Sequence, residues 1–303
     1  MSTPTTNQRD FANPPGYTPL PYRLLDSVEV MGFTGHQKLG VVYKPQPCTQ
    51  PLETSAFCVS GLGAPKTPTG ELAWRAADPF VVYTWIPCTF VGEAPEELEA
   101  DTLAAHENNV GTRVEENFWT GGDFGTSQRL AADTEVQIIS GGNTIVLQTA
   151  ATVVTGATVD VVEAFGLLEG AMARCYSGTP FLHVPRKALA DLSASHLIVE
   201  GTYGSARRKV LRTKNGSVVI PYALEDSQIL GPDGMAAPLG TAWFYATGAL
   251  KIWRGELDMT AKNAKEALIK SVNGTVLIVE ERFIVGWDCC HFAVNASLGG
   301  AVA

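Results

Sequence analysis

Residues Asn273 to Ala296 read NGTVLIVEERFIVGWDCCHFAVNA, and this stretch sets the class of fold. The Asn-Gly at its head is the strongest short turn signal available, because both residues tolerate a positive φ. From Thr275 to Val294 the sequence is apolar along most of its length, as a buried strand pair should be. Cys289, Cys290 and His291 fall inside that pair, where Cys289 and His291 would share one face and Cys290 the other.

Upstream, a helix is signalled from about Pro95 to Trp119. Pro95 suits a first turn, and Glu93, Glu96, Glu97, Glu99 and Asp101 load the end where the helix dipole favours anions. Leu103, His106, Val110, Val114 and Asn117 or Phe118 follow helical spacing, so one stripe is buried. Phe118-Trp119-Thr120-Gly121-Gly122 closes the element, since glycine accepts the backbone of a helix stop. At 1.5 Å per residue this is a rod of about 35–40 Å, long for a compact domain.

Around these two landmarks the chain reads as mixed helix and strand. Residues 1–30 carry Pro4, Pro14, Pro15, Pro19 and Pro21, an extended arm. Strand alternation follows over 28–48, then a Gly- and Pro-rich loop from Cys48 to Ala73, then an apolar strand from Pro79 to Pro87. Two strands over 134–155 turn at Gly141-Gly142-Asn143, and a second helix spans about Val159 to Cys175. Pro180 to Pro185 reads as a short buried strand and Arg186 to Ala194 as a short helix. Hairpins centre on Asn215-Gly216 and Asn273-Gly274, with strands from Thr241 to Leu250 and Lys251 to Met259 between them. The fold class is α+β.

Hydrophobic residues make up 45% of the 303 residues and charged ones 17%, low against an average of about 25%. Neighbouring subunits covering much of the surface would account for so little charge. A net charge of -9 argues against a dedicated nucleic-acid binder, whose affinity needs Lys/Arg on phosphates; an acidic wall would instead keep DNA from adhering. No run of eighteen apolar residues exists, so no membrane span is expected. Met1 to Tyr22 lacks a signal peptide, which places synthesis in a cytoplasm and leaves the Asn-x-Ser/Thr matches at Asn215, Asn273 and Asn295 idle.

The chemistry-bearing motifs are few. Gly61 to Thr67 superficially resembles a phosphate loop, but Pro65 stands where an amide is needed. Cysteines 48, 58, 88, 175, 289 and 290 show no CxxC spacing and read as buried thiols, the alternative being a staple or zinc site among Cys48, Cys58 and Cys88. His36, His106, His183 and His196 have no ligand spacing, and neither a metal nor a cofactor is expected. Cys289 or Cys290 with a histidine would make a cytoplasmic hydrolase, yet sequence neighbours rarely point at each other, and His291 reads as a satisfied core residue. Arg207, Arg208 and Lys209, with Arg212 and Lys214, form a basic cluster beside the Asn215-Gly216 turn; its expected role is contact with an acidic neighbour, Glu96 and Glu97 at the helix start being candidates.

The order of elements resembles the Hong Kong 97-type major capsid family of tailed bacteriophages. Phe118 to Asp123 resembles the motif closing its spine helix, Pro180 to Leu189 its axial-domain strand and short helix, and Asn273 to Phe283 its final hairpin strand with a Glu-Glu-Arg step. The resemblance implies an N-terminal arm (1–30), an extended loop with flanking strands (31–92), a spine helix (93–122), a mainly axial domain (123–250) and return strands of the peripheral domain (251–303). It further implies pentamers and hexamers closing into an icosahedral virion head around double-stranded DNA held by non-specific contact, assembled in the host cytoplasm. Scaffolding, portal and decoration proteins are the implied partners, with scaffolding supplied separately or already removed. An encapsulin-type nanocompartment shares the fold. Some relatives join subunits by an isopeptide bond between a loop lysine and an asparagine, aided by a buried glutamate; Asn273 and Glu280 fall at the matching places, with Lys66 or Lys44 on the loop.

Overall fold

The computed structural model describes residues 20–33, 40–43, 74–88, 95–121, 129–132, 136–140, 143–225, 227–259, 268–269, 274–288 and 290–299. The extended arm before residue 20, the Gly- and Pro-rich loop, Lys44, Lys66 and Asn273 lie outside them. In chain order the first elements are α1 (Leu24–Ser27), β1 (Glu29–Gly32), β2 (Val41–Tyr43), β3 (Trp74–Ala77), β4 (Phe80–Cys88) and α2 (Pro95–Thr120). The middle of the chain forms β5 (Val136–Ser140), β6 (Asn143–Gln148), β7 (Thr152–Val153), β8 (Val159–Asp160), α3 (Val161–Cys175), β9 (Phe181–Pro185) and α4 (Leu189–Ala194). Then come β10 (Ile198–Tyr203), β11 (Arg208–Thr213), β12 (Val218–Tyr222), β13 (Thr241–Thr247), β14 (Leu250–Arg254), β15 (Asp258–Met259), β16 (Leu268–Ile269), β17 (Gly274–Trp287) and β18 (His291–Ser297).

Two sheets carry the architecture. A six-stranded sheet runs β1-β14-β17-β15, with β4 and β16 also on β17. An eight-stranded sheet runs β10-β11-β12-β9-β13-β18-β7, with β8 also on β18. A smaller sheet orders β2-β3-β6-β5. In the eight-stranded sheet the alternation of side chains separates two cores. Leu182, Val184, Val219, Phe244 and Ala246 face α3 and α4, while Phe181, Ile220, Tyr222 and Tyr245 face the other way. Both faces are buried, and every residue of β9 and β12 is enclosed, His183 included.

The predicted long helix is α2, and its buried stripe is Thr102, His106, Val110, Val114 and Phe118, one residue every turn, so Thr102 takes the place expected of Leu103, which is half-buried. Gly121 ends it at φ +79, its N–H on the Asn117 carbonyl at 2.8 Å, a stop that glycine makes without strain. α3 begins where Asp160 caps it, the carboxylate accepting from Glu163 N–H at 2.8 Å. The Asn215-Gly216 turn also forms, Gly216 at φ +99 between the antiparallel β11 and β12.

The final strands differ from expectation. β17 and β18 do not pair with each other: β17 lies between β14 and β4, while β18 pairs antiparallel with β13. Likewise Thr241–Leu250 is not one strand, because Gly248 and Ala249 carry the chain from β13 in one sheet to β14 in the other. So the return strands over 251–303 are split, with the last one in the larger sheet. The cysteine reading also needs correction, since Cys175 and Cys290 form a disulfide with Cα atoms 6.0 Å apart.

The sheets meet around the end of α2. Phe118 makes an edge contact with Trp287 of the six-stranded sheet, centroids 5.8 Å apart, and Trp119 meets Tyr222 and Tyr245 of the eight-stranded one at 5.0 and 5.3 Å. Both side chains are buried. Trp119→Ala is expected to lower unfolding free energy by about 3–5 kcal/mol in urea titrations; a loss below about 1 kcal/mol would show that the joint does not hold the sheets.

Candidate functional site: the helix-covered sheet and its outward face

A rod-like helix on a sheet is held by whatever its buried stripe meets. Thr84 and Glu281 present their side chains to α2 from the adjacent strands β4 and β17, where His106 enters. With its proton on Nε2, His106 donates to Glu281 Oε2 at 3.4 Å and accepts from the Thr84 hydroxyl at 3.1 Å on Nδ1. Arg254 of β14 completes the group, donating from Nε and Nη2 to Glu281 at 2.5 and 2.9 Å. Burial pushes the Glu281 carboxyl up, but the bonds from His106 and Arg254 outweigh it and hold it below its ordinary value. The arrangement orders hydroxyl, imidazole and carboxylate as a nucleophile relay would. Since His106 is fully enclosed, it is a structural clamp tying helix to sheet.

Strand alternation puts the neighbouring residues on the opposite face. There Val81, Tyr83 and Trp85 are 47%, 63% and 56% exposed. Their cross-strand partners are Arg282, Glu280 and Ile278, and Glu280 also pairs with Asp258. This is a row of large apolar side chains in water, edged by charge, on a sheet whose other side carries α2.

Of the residues proposed for crosslinking, Glu280 alone is described. It is half-buried on the outward face beside Tyr83, and the buried carboxylate of the pair is Glu281. The basic cluster divides. Arg212 is committed within its own hairpin, bonding Gly216 O from Nε and Nη2 and Thr202 O from Nη1. Arg208 donates to Leu25 O at 3.1 Å. Arg207, at φ +47 in the β10–β11 turn, and Lys209 and Lys214 are exposed. The side chains of Glu96 and Glu97 lie outside the described ones.

The Cys/His reading loses one of its two thiols, because Cys290 is oxidised and sits at φ +68 between strands, while Cys289 lies outside the described residues. Its neighbour His291 is enclosed, Nδ1 3.2 Å from Thr149 O, with its ring beside those of Tyr245 and Trp287. Among the described residues no group of three His, Cys, Asp or Glu could hold a metal, and no described helix is long and apolar enough to cross a membrane.

No family model matches the sequence, and no curated protein is similar to it. Solved structures are similar in fold. The capsid of an empty GTA particle superposes with a TM-score of 0.54 at 11% identity, over 96% of this chain and 95% of that one. The capsid of the native GTA particle gives 0.52 at 10%, over 95% and 100%. The holo-SrpI encapsulin complex from Synechococcus elongatus PCC 7942 gives 0.51 at 10%, over 96% and 95%. These likenesses extend over nearly the whole of each chain, and they show the fold. The fold is the Hong Kong 97-type capsid fold.

Three buried groups set a pH dependence. Burial pulls His183 and His291 down to about 3. It pushes Glu115, on the inner side of α2, up to about 7, against the opposing pull of the Ala223 N–H, Arg23 and Arg186. The histidines bind protons more readily unfolded, so their contribution is full above pH 6.5 and falls as pH drops toward 3. Glu115 acts oppositely, its contribution full below pH 4.5 and lost as pH rises toward 7. Two histidines outweigh one glutamate between pH 7 and 5, so the urea midpoint is expected to fall over that range. Each proton counts for about 1.4 kcal/mol per pH unit at most, and His183→Gln should flatten the slope. A midpoint that rises on acidification would contradict the assignment.

Proposed function

We propose that this chain is the major capsid protein of a tailed bacteriophage. Copies assemble as pentamers and hexamers into an icosahedral head around double-stranded DNA, without turning over a substrate. The carrying observation is the outward row Val81, Tyr83 and Trp85 on a sheet already covered by α2. Apolar side chains of that size in water favour association, and a neighbouring copy is the cover that a shell fold supplies.

In this reading α2 is the spine. Leu24 and Val28 of the arm (1–30) are buried in the chain's own core and β4 of the loop segment (31–92) lies in the six-stranded sheet, so it is the rest of these segments that reaches neighbouring copies. The larger sheet with α3 and α4 forms the axial domain near capsomer centres. Arg207 and Lys209, on the exposed side of its hairpin, meet an acidic edge of the next copy, Glu96 and Glu97 being the candidates. Packaged DNA is contacted non-specifically at most, as the acidic composition suggests. Scaffolding, portal and decoration proteins are the expected partners, and assembly occurs in the host cytoplasm. The encapsulin likeness supports a second reading, a shell around protein cargo.

Replacing Tyr83 and Trp85 by Asp tests the shell role, because both side chains are exposed in the single chain. The unmodified chain is expected to sediment as large particles and the double variant as small species, with unfolding midpoints matching to within about 1 kcal/mol. A double variant that forms particles as readily as the parent would overturn this interface.

A further inference from the structure

The chain passes directly from one large sheet to the other at two places, Gly248-Ala249 between β13 and β14 and residues 288–290 between β17 and β18. The two passages are bonded to each other: Gly248 N–H donates to Cys290 O at 3.2 Å and Asp288 N–H to Ala249 O at 2.9 Å. The end of α3 holds both. Its last residue, Cys175, is joined to Cys290 across 115 positions of sequence. The next residue, Tyr176, accepts from Ala249 N–H at 3.1 Å and donates to Asp288 Oδ2 at 3.4 Å through its hydroxyl. Cys290 takes φ +68, a backbone state that a non-glycine residue keeps only when its surroundings enforce it. The two backbone bonds, the disulfide and the Tyr176 hydroxyl therefore converge on the joint between the sheets, and the disulfide is a bond that can be made or broken chemically.

We infer that Cys175–Cys290 is a redox latch on the inter-sheet joint: the joint yields as the dithiol and is clamped as the disulfide. The oxidant class is a small-molecule disulfide. The half-exposed Cys175, as thiolate, attacks one sulfur of it and expels the first small thiolate with the bonding electron pair. The Cys290 thiolate then attacks Cys175 sulfur in the mixed disulfide and expels the second. The two protons lost by the cysteines pass to the expelled thiolates, so two protein thiols are oxidised and one small disulfide is reduced to two thiols. Under the shell reading, on which the biological setting rests, a reducing cytoplasm leaves the joint free while subunits adjust to pentamer and hexamer positions. Release into an oxidising medium then fixes the result.

The test needs no assembly and so stands apart from the shell reading. The full chain is treated with glutathione disulfide or with dithiothreitol, and amide hydrogen exchange is followed at Gly248, Ala249 and Asp288. Peptide mapping is expected to recover the 175–290 linked peptide from the oxidised sample, with exchange at these amides about tenfold slower than after reduction. Cys175→Ala should exchange like the reduced chain under both treatments, which separates this bond from other cysteines. Free thiols at 175 and 290 after oxidation, or equal exchange in both redox states, would overturn the latch. If Cys175→Ala fails to fold, the oxidised and reduced parent chains still decide the matter.

Discussion

Everything in this molecule is arranged around a joint of aromatic rings at the end of α2. Phe118 and Trp119 project to different partners from adjacent positions, one toward Trp287 in the six-stranded sheet, the other toward Tyr222 and Tyr245 in the eight-stranded sheet. Edge-to-face rings carry both large buried area and a preferred angle, so they fix orientation as well as distance. His183 lies within the same group, 5.7 Å from each of the Phe118 and Trp119 rings, and with His291 it links the joint to pH. A helix of 26 residues thereby becomes a strut whose one end sets the relation of two sheets and whose length lies along only one of them.

Polar contacts finish what the rings begin. Along the strut, His106 and Glu281 pair in a buried setting, where an unpaired member would be costly, and the partly exposed Arg254 completes the carboxylate's partners. At the far side of the larger sheet, Glu169 of α3 accepts from Thr213, Asn215 and Ser217 and pins the β11–β12 turn. Helix, joint and turn are fixed within the chain, while the Val81–Tyr83–Trp85 row and the basic turn at Arg207 face water. A rigid body with an apolar side and a charged tip is a unit suited to repetition against copies of itself.

Much of this was legible in the sequence. Pro95, the acidic first turns and Gly121 bracket α2, while Asn215-Gly216 marks its hairpin, because caps and turns depend on local chemistry. The Phe118-Trp119 motif and the order of elements pointed to the shell fold. What stayed hidden depends on partners distant in sequence. An apolar run such as Thr275 to Val294 says that both faces are buried but not which strands lie alongside, so the change of sheet at 288–290 went unseen. It was masked further because Cys290, not glycine, takes the positive φ. The disulfide pairs residues 115 positions apart, beyond any spacing rule, and a cytoplasmic setting argues for thiols. Glu280 and Glu281 are neighbours whose environments differ only by strand parity, which is decided by where α2 lies. The outward apolar row was hidden for the same reason.

Under the proposed shell function, the outward face of the six-stranded sheet is covered by another copy in a closed shell. Electron cryomicroscopy of nuclease-treated particles from the native source tests this most directly. The expected result is a closed shell of this chain with fivefold vertices, protected double-stranded DNA inside, and Tyr83 and Trp85 buried against a neighbouring subunit. Particles in which that face is bare to solvent, or a chain found only as a monomer, would contradict it.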